Sequence, residues 1–304
     1  MRGVFVDANP SLADIFERLN KAGDPPVRIN RNPDITSDQM PALLDGAEIV
    51  VIDHTALPTD VARRCTGLKH VVFLGTGARS YMNPEELSQL GIEVHLIKGY
   101  GDTAVAESTI ALMWAAARGI AQMDREMRAG NWLREDGMQL TGKTLGLIGF
   151  GGIAAEVARI ALGSGMRVIA WNRSPKSYPG VDFVDIDTLL AQSDVVSLHL
   201  LLNDETRGFV TRERIAAMKP GVILVNTARG AMVDEAAMIE ALKSGHIRHA
   251  GLDVFNIEPL PADHPLTKLP NVTLSAHSAF RTPEASENLI HAAWEHCRRI
   301  ASKK

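Results

Sequence analysis

Short apolar runs alternate with helix-period stretches along nearly the whole chain. Residues 4–6, 48–52, 71–74 and 94–97 read as strands, with helical segments and polar turns between them. A long helix follows, over about residues 103–129, and stops at Gly130. Beyond it the strand signal sharpens at 144–150, 167–171, 195–200, 222–225, 251–254 and 272–274. Continuous apolar runs of this kind suit strands buried on both faces of a parallel sheet. With helices between them they form a βαβ series. A last helix is expected to start at Thr282, a capping residue, with Pro283 in its first turn. The layout predicts an N-terminal α/β domain over residues 1–98 and a second α/β domain over 99–278, followed by a C-terminal segment over 279–304.

At 304 residues the chain is long enough for two domains. A net charge of -4 gives no basic stripe for nucleic acid and no attraction to an anionic membrane. The first ten residues lack the apolar stretch of a signal peptide, and no run is long enough to span a bilayer. Cys65 and Cys297 have neither the spacing of a zinc site nor a disulfide framework, so a reducing compartment, the cytoplasm, is expected. No metal site is expected either.

Residues 144–154 read Thr-Leu-Gly-Leu-Ile-Gly-Phe-Gly-Gly-Ile-Ala. Gly149, Gly151 and Ala154 fit a strand-to-helix phosphate loop. The first glycine allows the tight turn, and the second lets backbone approach a pyrophosphate. The small third residue lets helix and strand pack closely. Gly152 and Ile153 then open the helix whose free N–H groups face the anion. The following strand ends at Asn172-Arg173-Ser174, where a carboxylate would hold an unphosphorylated ribose. No carboxylate stands there, and Arg173 is suited to a 2′-phosphate, so NADP is favoured and NAD remains an alternative.

Three further segments each carry polar residues at or just beyond a strand's C-terminal end, the edge where open α/β sheets bind ligands. They are 225–230 (Val-Asn-Thr-Ala-Arg-Gly), 251–260 (Gly-Leu-Asp-Val-Phe-Asn-Ile-Glu-Pro-Leu) and 274–279 (Leu-Ser-Ala-His-Ser-Ala). With the glycine loop, the stretch 195–206 and the helix end at 124–132, they make the sequence resemble the D-isomer-specific 2-hydroxyacid dehydrogenases, among them the glyoxylate/hydroxypyruvate reductases. The resemblance runs from about residue 68 to the end. It implies two doubly wound parallel-sheet domains, a Rossmann cofactor domain inserted in a flavodoxin-like substrate domain to which the last helix returns, with the active site in the cleft.

The resemblance also implies roles. Arg229 binds the carboxylate of a 2-keto acid and polarises its carbonyl, for which the planar guanidinium fork is suited. His277 is the general acid in reduction and the base in the reverse direction. Glu258 holds the imidazole and favours its charged form. Asp253 binds the nicotinamide carboxamide, with Thr206 and Thr227 beside the cofactor. Gly75, Thr76 and Gly77 offer backbone N–H groups to the substrate carboxylate. His199, also at a strand end, reads as structural. A homodimer joined through the cofactor domain is implied.

The sequence departs from the family pattern at Arg79-Ser80-Tyr81, at Gly101 and over 200–203, where the usual proline is missing. These positions bear on substrate choice. Glu258 argues against formate as substrate, because formate dehydrogenases carry Gln there. Phosphite or phosphoglycerate dehydrogenation, and a dinucleotide-sensing regulatory protein of the same fold, stay open as alternatives.

Overall fold

The computed structural model describes residues 1–302 and divides into two compact units, Met1–Gly101 with Arg281–Lys304, and Asp102–Phe280. The first contains strands β1 (Gly3–Phe5), β2 (Val27–Ile29), β3 (Ile49–Ile52), β4 (His70–Phe73) and β5 (Glu93–Leu96), and helices α1 (Pro10–Arg18), α2 (Met40–Leu43), α3 (Thr59–Arg64) and α4 (Pro84–Gln89). The second contains α5 (Asp102–Arg118), α6 (Ile120–Arg128), β6 (Thr144–Ile148), α7 (Gly152–Gly163), β7 (Arg167–Trp171), β8 (Val181–Phe183), α8 (Ile186–Gln192) and β9 (Val195–Leu198). It continues with α9 (Arg212–Ala216), β10 (Val222–Asn226), α10 (Glu235–Ser244), β11 (Ile247–Leu252) and β12 (Val272–Leu274), and α11 (Pro283–Ser302) completes the first unit.

The first sheet has the order β2-β1-β3-β4-β5, with every pairing parallel. Its strands alternate between two packed faces. Val71 and Phe73 of β4 join one core cluster, while Val72 joins Phe5, Phe16, Leu289 and Trp294 in the other. This second face receives α11. Thr282 Oγ1 accepts the Ala285 N–H at 3.1 Å, so the helix starts at the expected cap. Trp294 is fully buried, stacks 4.3 Å from Phe16 and donates its indole N–H to the Phe16 carbonyl at 2.9 Å.

The second sheet has the order β12-β11-β10-β9-β6-β7-β8, again all parallel. The chain leaves β6 toward β7 and later returns to β9 on β6's other side. That reversal opens a crevice at the C-terminal ends of β6 and β9, where such sheets bind ligands. Every residue of β10 and of β9 is buried, as the continuous apolar runs require.

Three features differ from the sequence expectation. The single helix over 103–129 is broken into α5 and α6 by Gly119, whose φ of 61° is left-handed. The strands β2 and β8 carry Arg28 and Asp182 at their centres and are only partly buried, so their hydrophobic signal is weak. The strand expected at 251–254 begins earlier, at Ile247, because exposed Arg248 interrupts its apolar run.

Candidate active site

The phosphate loop lies between β6 and α7. Gly149 has φ of 90°, and a Cβ there would lie 2.8 Å from the carbonyl oxygen of His199. Only glycine fits this turn. Gly151 caps α7 without any side-chain bond, and nothing lies within 4 Å of where its Cβ would be. Gly152 is exposed and Ile153 half-buried in the first turn. The result is an open helix N-terminus with free N–H groups, a cradle that fits a dinucleotide pyrophosphate. Asn172, at the end of β7, fastens the loop: its Oδ1 accepts the Phe150 N–H at 3.1 Å and its Nδ2 donates to the Ser174 carbonyl at 2.8 Å. Arg173 and Ser174 are exposed beside it. Arg173 pairs at 2.6 Å with Glu205, from the loop after β9. Thr206 is used locally, its hydroxyl donating to the Leu201 carbonyl at 2.7 Å.

The other segments follow β10, β11 and β12, which are neighbours in the sheet, so their loops are neighbours too. After β10, buried Asn226 shapes the turn that carries Arg229. Its Oδ1 accepts the Ala228 N–H and its Nδ2 donates to the Arg229 carbonyl, both at 3.0 Å. Thr227 is buried and shares a 2.8 Å hydroxyl–hydroxyl bond with Thr109 of α5. Arg229 is half-buried, with Nη1 donating to the Ala228 carbonyl. Gly230 is pressed against the next loop: a Cβ there would stand 2.1 Å from the Phe255 carbonyl carbon and 2.5 Å from the Asn256 nitrogen. The absence of a side chain lets the Arg229 turn meet the loop of Glu258.

Glu258 uses both carboxylate oxygens. Oε1 accepts the Phe255 N–H at 2.9 Å, and Oε2 lies 2.7 Å from His277 Nδ1. A carboxylate only accepts, so Nδ1 carries the proton and donates, leaving Nε2 for another partner. His277 is the one non-glycine residue with positive φ among the described residues, at 47°. Asp253 holds it there. The His277 N–H donates to the Asp253 carbonyl at 2.8 Å. The Asp253 carboxylate, 1% exposed, accepts the Ser275 hydroxyl at 2.6 Å and the N–H groups of Ser278 and Ala279, both at 3.0 Å. Its strained backbone is thus fixed by bonds on either side. This clamp, like the Asn226 turn, was not apparent in the sequence.

His199 is bonded to Ser197 at 2.9 Å, and burial pushes its pKa down to about 4. In the first unit, Gly75 is buried after β4 and takes the Ile97 N–H on its carbonyl, Thr76 is exposed, and Gly77 caps the 3₁₀ turn Ala78–Ser80. Arg79 pairs with Glu85 on the surface.

A nicotinamide-type phosphate cradle beside a carboxylate–histidine pair and an arginine turn defines a dinucleotide-dependent oxidoreductase. Residues 110–279 match the sequence model of the D-isomer specific 2-hydroxyacid dehydrogenase NAD binding domain. The chain is 38% identical over 262 residues to a hydroxypyruvate reductase of Thermotoga maritima, spanning 84% of this chain and 85% of that protein. It is 42% identical over 224 residues to a glyoxylate reductase of Aeropyrum pernix, spanning 67% of each. Its structure resembles an acyclic imino acid reductase in complex with NADPH and D-Arg, with TM-score 0.87, 28% identity, and coverage of 100% and 98% of the two chains. The protein belongs to the D-isomer-specific 2-hydroxyacid dehydrogenase family and is an NAD(P)-dependent enzyme.

Proposed function

We propose that this enzyme reduces a small 2-keto acid, of the glyoxylate and hydroxypyruvate class, to the D-2-hydroxy acid, with His277 as general acid and base. The observation that carries the reading is the His277–Glu258 pair, 2.7 Å apart with Nε2 free, on a loop adjacent to that of Arg229. The bound dinucleotide supplies the hydride. Arg229 holds the substrate carboxylate and polarises the carbonyl as negative charge develops on its oxygen. His277 Nε2 gives that oxygen a proton, and Glu258 keeps the imidazole oriented and stabilises its charge. In the first unit, Thr76 and Gly77 are the proposed further N–H donors to a carboxylate; Gly75, expected from the sequence to join them, spends its N–H on the Phe73 carbonyl at 2.8 Å. Gly151, Gly152 and Ile153 would hold the pyrophosphate by backbone N–H groups, while Gly149, whose own N–H donates to the Trp171 carbonyl at 2.8 Å, makes the turn that opens the cradle. Thr206, Thr227 and Asp253 would stand beside the bound cofactor; the Asp253 carboxylate, buried and bonded to Ser275, Ser278 and Ala279, would reach the carboxamide only by giving up one of these bonds.

NADP(H) is proposed as the preferred dinucleotide, because residues 172–174 at the end of β7 include no carboxylate: Asn172 is neutral, and Arg173 and Ser174 offer donors. Glu205 bears on this preference, since a 2′-phosphate must take its place on Arg173. We further propose a homodimer built on α5 and α6, whose surroundings expose Ile120, Met127 and Trp132. A cytoplasmic location is proposed, where the free thiols of Cys65 and Cys297 stay reduced. Among the described residues no helix is long and apolar enough to cross a membrane.

The experiment is turnover of glyoxylate, hydroxypyruvate and longer 2-keto acids with NADPH and with NADH. Reduction of at least one small 2-keto acid is expected. Dinucleotide binding without turnover of any would favour the regulatory alternative.

A further inference from the structure

The first unit contains a second group of chemically capable side chains, outside the candidate active site. β4 and β5 pair in parallel register with His70 opposite Glu93 and Val72 opposite His95. Residues paired in register share a face, as do residues two apart on one strand. His70, Glu93 and His95 therefore project from one face, where His70 and Glu93 open their strands and His95 follows two residues on. The loop of Gly75, Thr76 and Gly77 follows the opposite end of β4. On that face the alternation calls for apolar residues, and Val72 and Ile97 supply them further along. His95, 8% exposed, is an imidazole in a core position.

The three side chains converge. His70 Nδ1 lies 3.2 Å from His95 Nε2, and Glu93 Oε2 lies 3.6 Å from each of these nitrogens. The carboxylate oxygen thus faces both rings yet stands outside normal hydrogen-bond reach of either. Ligands about 2.0–2.2 Å from a tetrahedral zinc ion are about 3.3–3.6 Å from one another, so the observed triangle has the edges of a coordination face. We propose that His70, Glu93 and His95 form a binding site for a divalent transition metal ion of the zinc class.

The chemistry of the donors fits this ion. Two imidazoles and one carboxylate suit borderline divalent cations, and such ligand sets leave a position open. A cavity of about 210 Å³ adjoins the three residues and is also lined by Arg299 and Ile300 of α11. It gives room for a fourth ligand. Arg299, held 2.8 Å from His296 Nδ1, places positive charge nearby and favours an anionic ligand in that position. An ion here would tie the edge strand β5 to β4 beside the end of α11 and stabilise the first unit.

The test uses the full chain, stripped with a chelator and titrated with Zn²⁺ by calorimetry and with Co²⁺ by visible absorption. The expected result is one equivalent bound, with the intense d–d bands of four-coordinate Co²⁺ and a rise in Tm on addition of Zn²⁺. Loss of an outer-sphere partner alone weakens metal sites about 10–100-fold, so Glu93→Ala and His70→Ala should each weaken binding by at least about 100-fold. Glu93 is largely exposed, so its variant should fold even if a histidine variant does not. A His291→Ala control, on the exposed face of α11, should bind as the parent does. Absence of stoichiometric binding by the parent, or unchanged binding in Glu93→Ala, would overturn the proposal. Neither readout depends on turnover, so this test is independent of the proposed reaction.

Discussion

Asp253 and His277 are joined through the backbone, with the His277 N–H donating to the Asp253 carbonyl at 2.8 Å while the Asp253 carboxylate gathers the residues on either side. The left-handed φ of His277 is kept in place by these bonds. Asp253→Asn replaces one acceptor oxygen with a donor that faces an N–H or hydroxyl group. It should lower kcat by on the order of 10–100-fold and stability by about 1–3 kcal/mol, the cost of an unmet buried group. Steady-state kinetics, thermal unfolding and dinucleotide Kd, measured together, check this. A variant that changes only the Kd would show the carboxamide contact to be the main role of Asp253. Unchanged kcat would remove the clamp from catalysis.

Gly230→Ala tests the contact between the Arg229 turn and the Glu258 loop. A Cβ 2.1 Å from the Phe255 carbonyl carbon requires backbone to move. Overpacking of this kind costs about 1–3 kcal/mol or more, and here the shift should also spoil the placement of Arg229. The expected outcome is a lowered Tm with kcat/KM reduced at least about 10-fold. A variant with parental Tm and kinetics would show that the two loops are free to separate.

The dinucleotide preference turns on Arg173 and Glu205, paired at 2.6 Å on the surface. Arg173→Ala should lose about 10-fold in kcat/KM with NADPH and little with NADH, since one charge-assisted bond supplies about 1.4 kcal/mol. Glu205→Gln should raise kcat/KM with NADPH by removing the competing charge. Equal response of both cofactors to both variants would contradict an NADP-specific role.

Stability should fall on both sides of neutrality, for different histidines. His54 has its pKa raised to about 9, first by its bond to Asp53 and then by the charge of buried Asp7. A raised folded pKa gives stability that is fully present below about pH 6.5 and lost as pH rises through about 9. His199 and His249 have theirs lowered to about 4, mainly by burial. The unfolded chain therefore binds their protons first, and stability declines as pH falls from about 6.5 toward 4. Urea unfolding across pH should show both limbs. His54→Gln should flatten the alkaline limb, and His249→Asn should remove up to about 1.4 kcal/mol per pH unit from the acid limb. An unchanged profile in either variant would show that other groups set that limb.

Much of the architecture was legible because its signals are local. The runs at β6, β7, β9 and β10 are largely apolar, the glycine loop spans a few residues, and Arg229, Glu258 and His277 each lie within six residues of a strand's end. What escaped depends on partners far apart in the chain. The Asp253 clamp needs β11 and β12 to be neighbours. The Glu205 partner of Arg173 lies on a different loop, and the His70, Glu93 and His95 cluster exists only through the register of β4 and β5. Cysteine spacing carries no signal for a cluster of histidines and a carboxylate on two strands. The break at Gly119 was hidden by helical periodicity on both sides of it.

The most direct measurement of the proposed chemistry is kcat of His277→Ala with a 2-keto acid turned over by the parent, taken together with dinucleotide Kd. Losing the group that protonates the developing alkoxide should lower kcat about 100-fold or more, while dinucleotide Kd stays at the parental value. Near-parental kcat would contradict the assignment of proton transfer to His277.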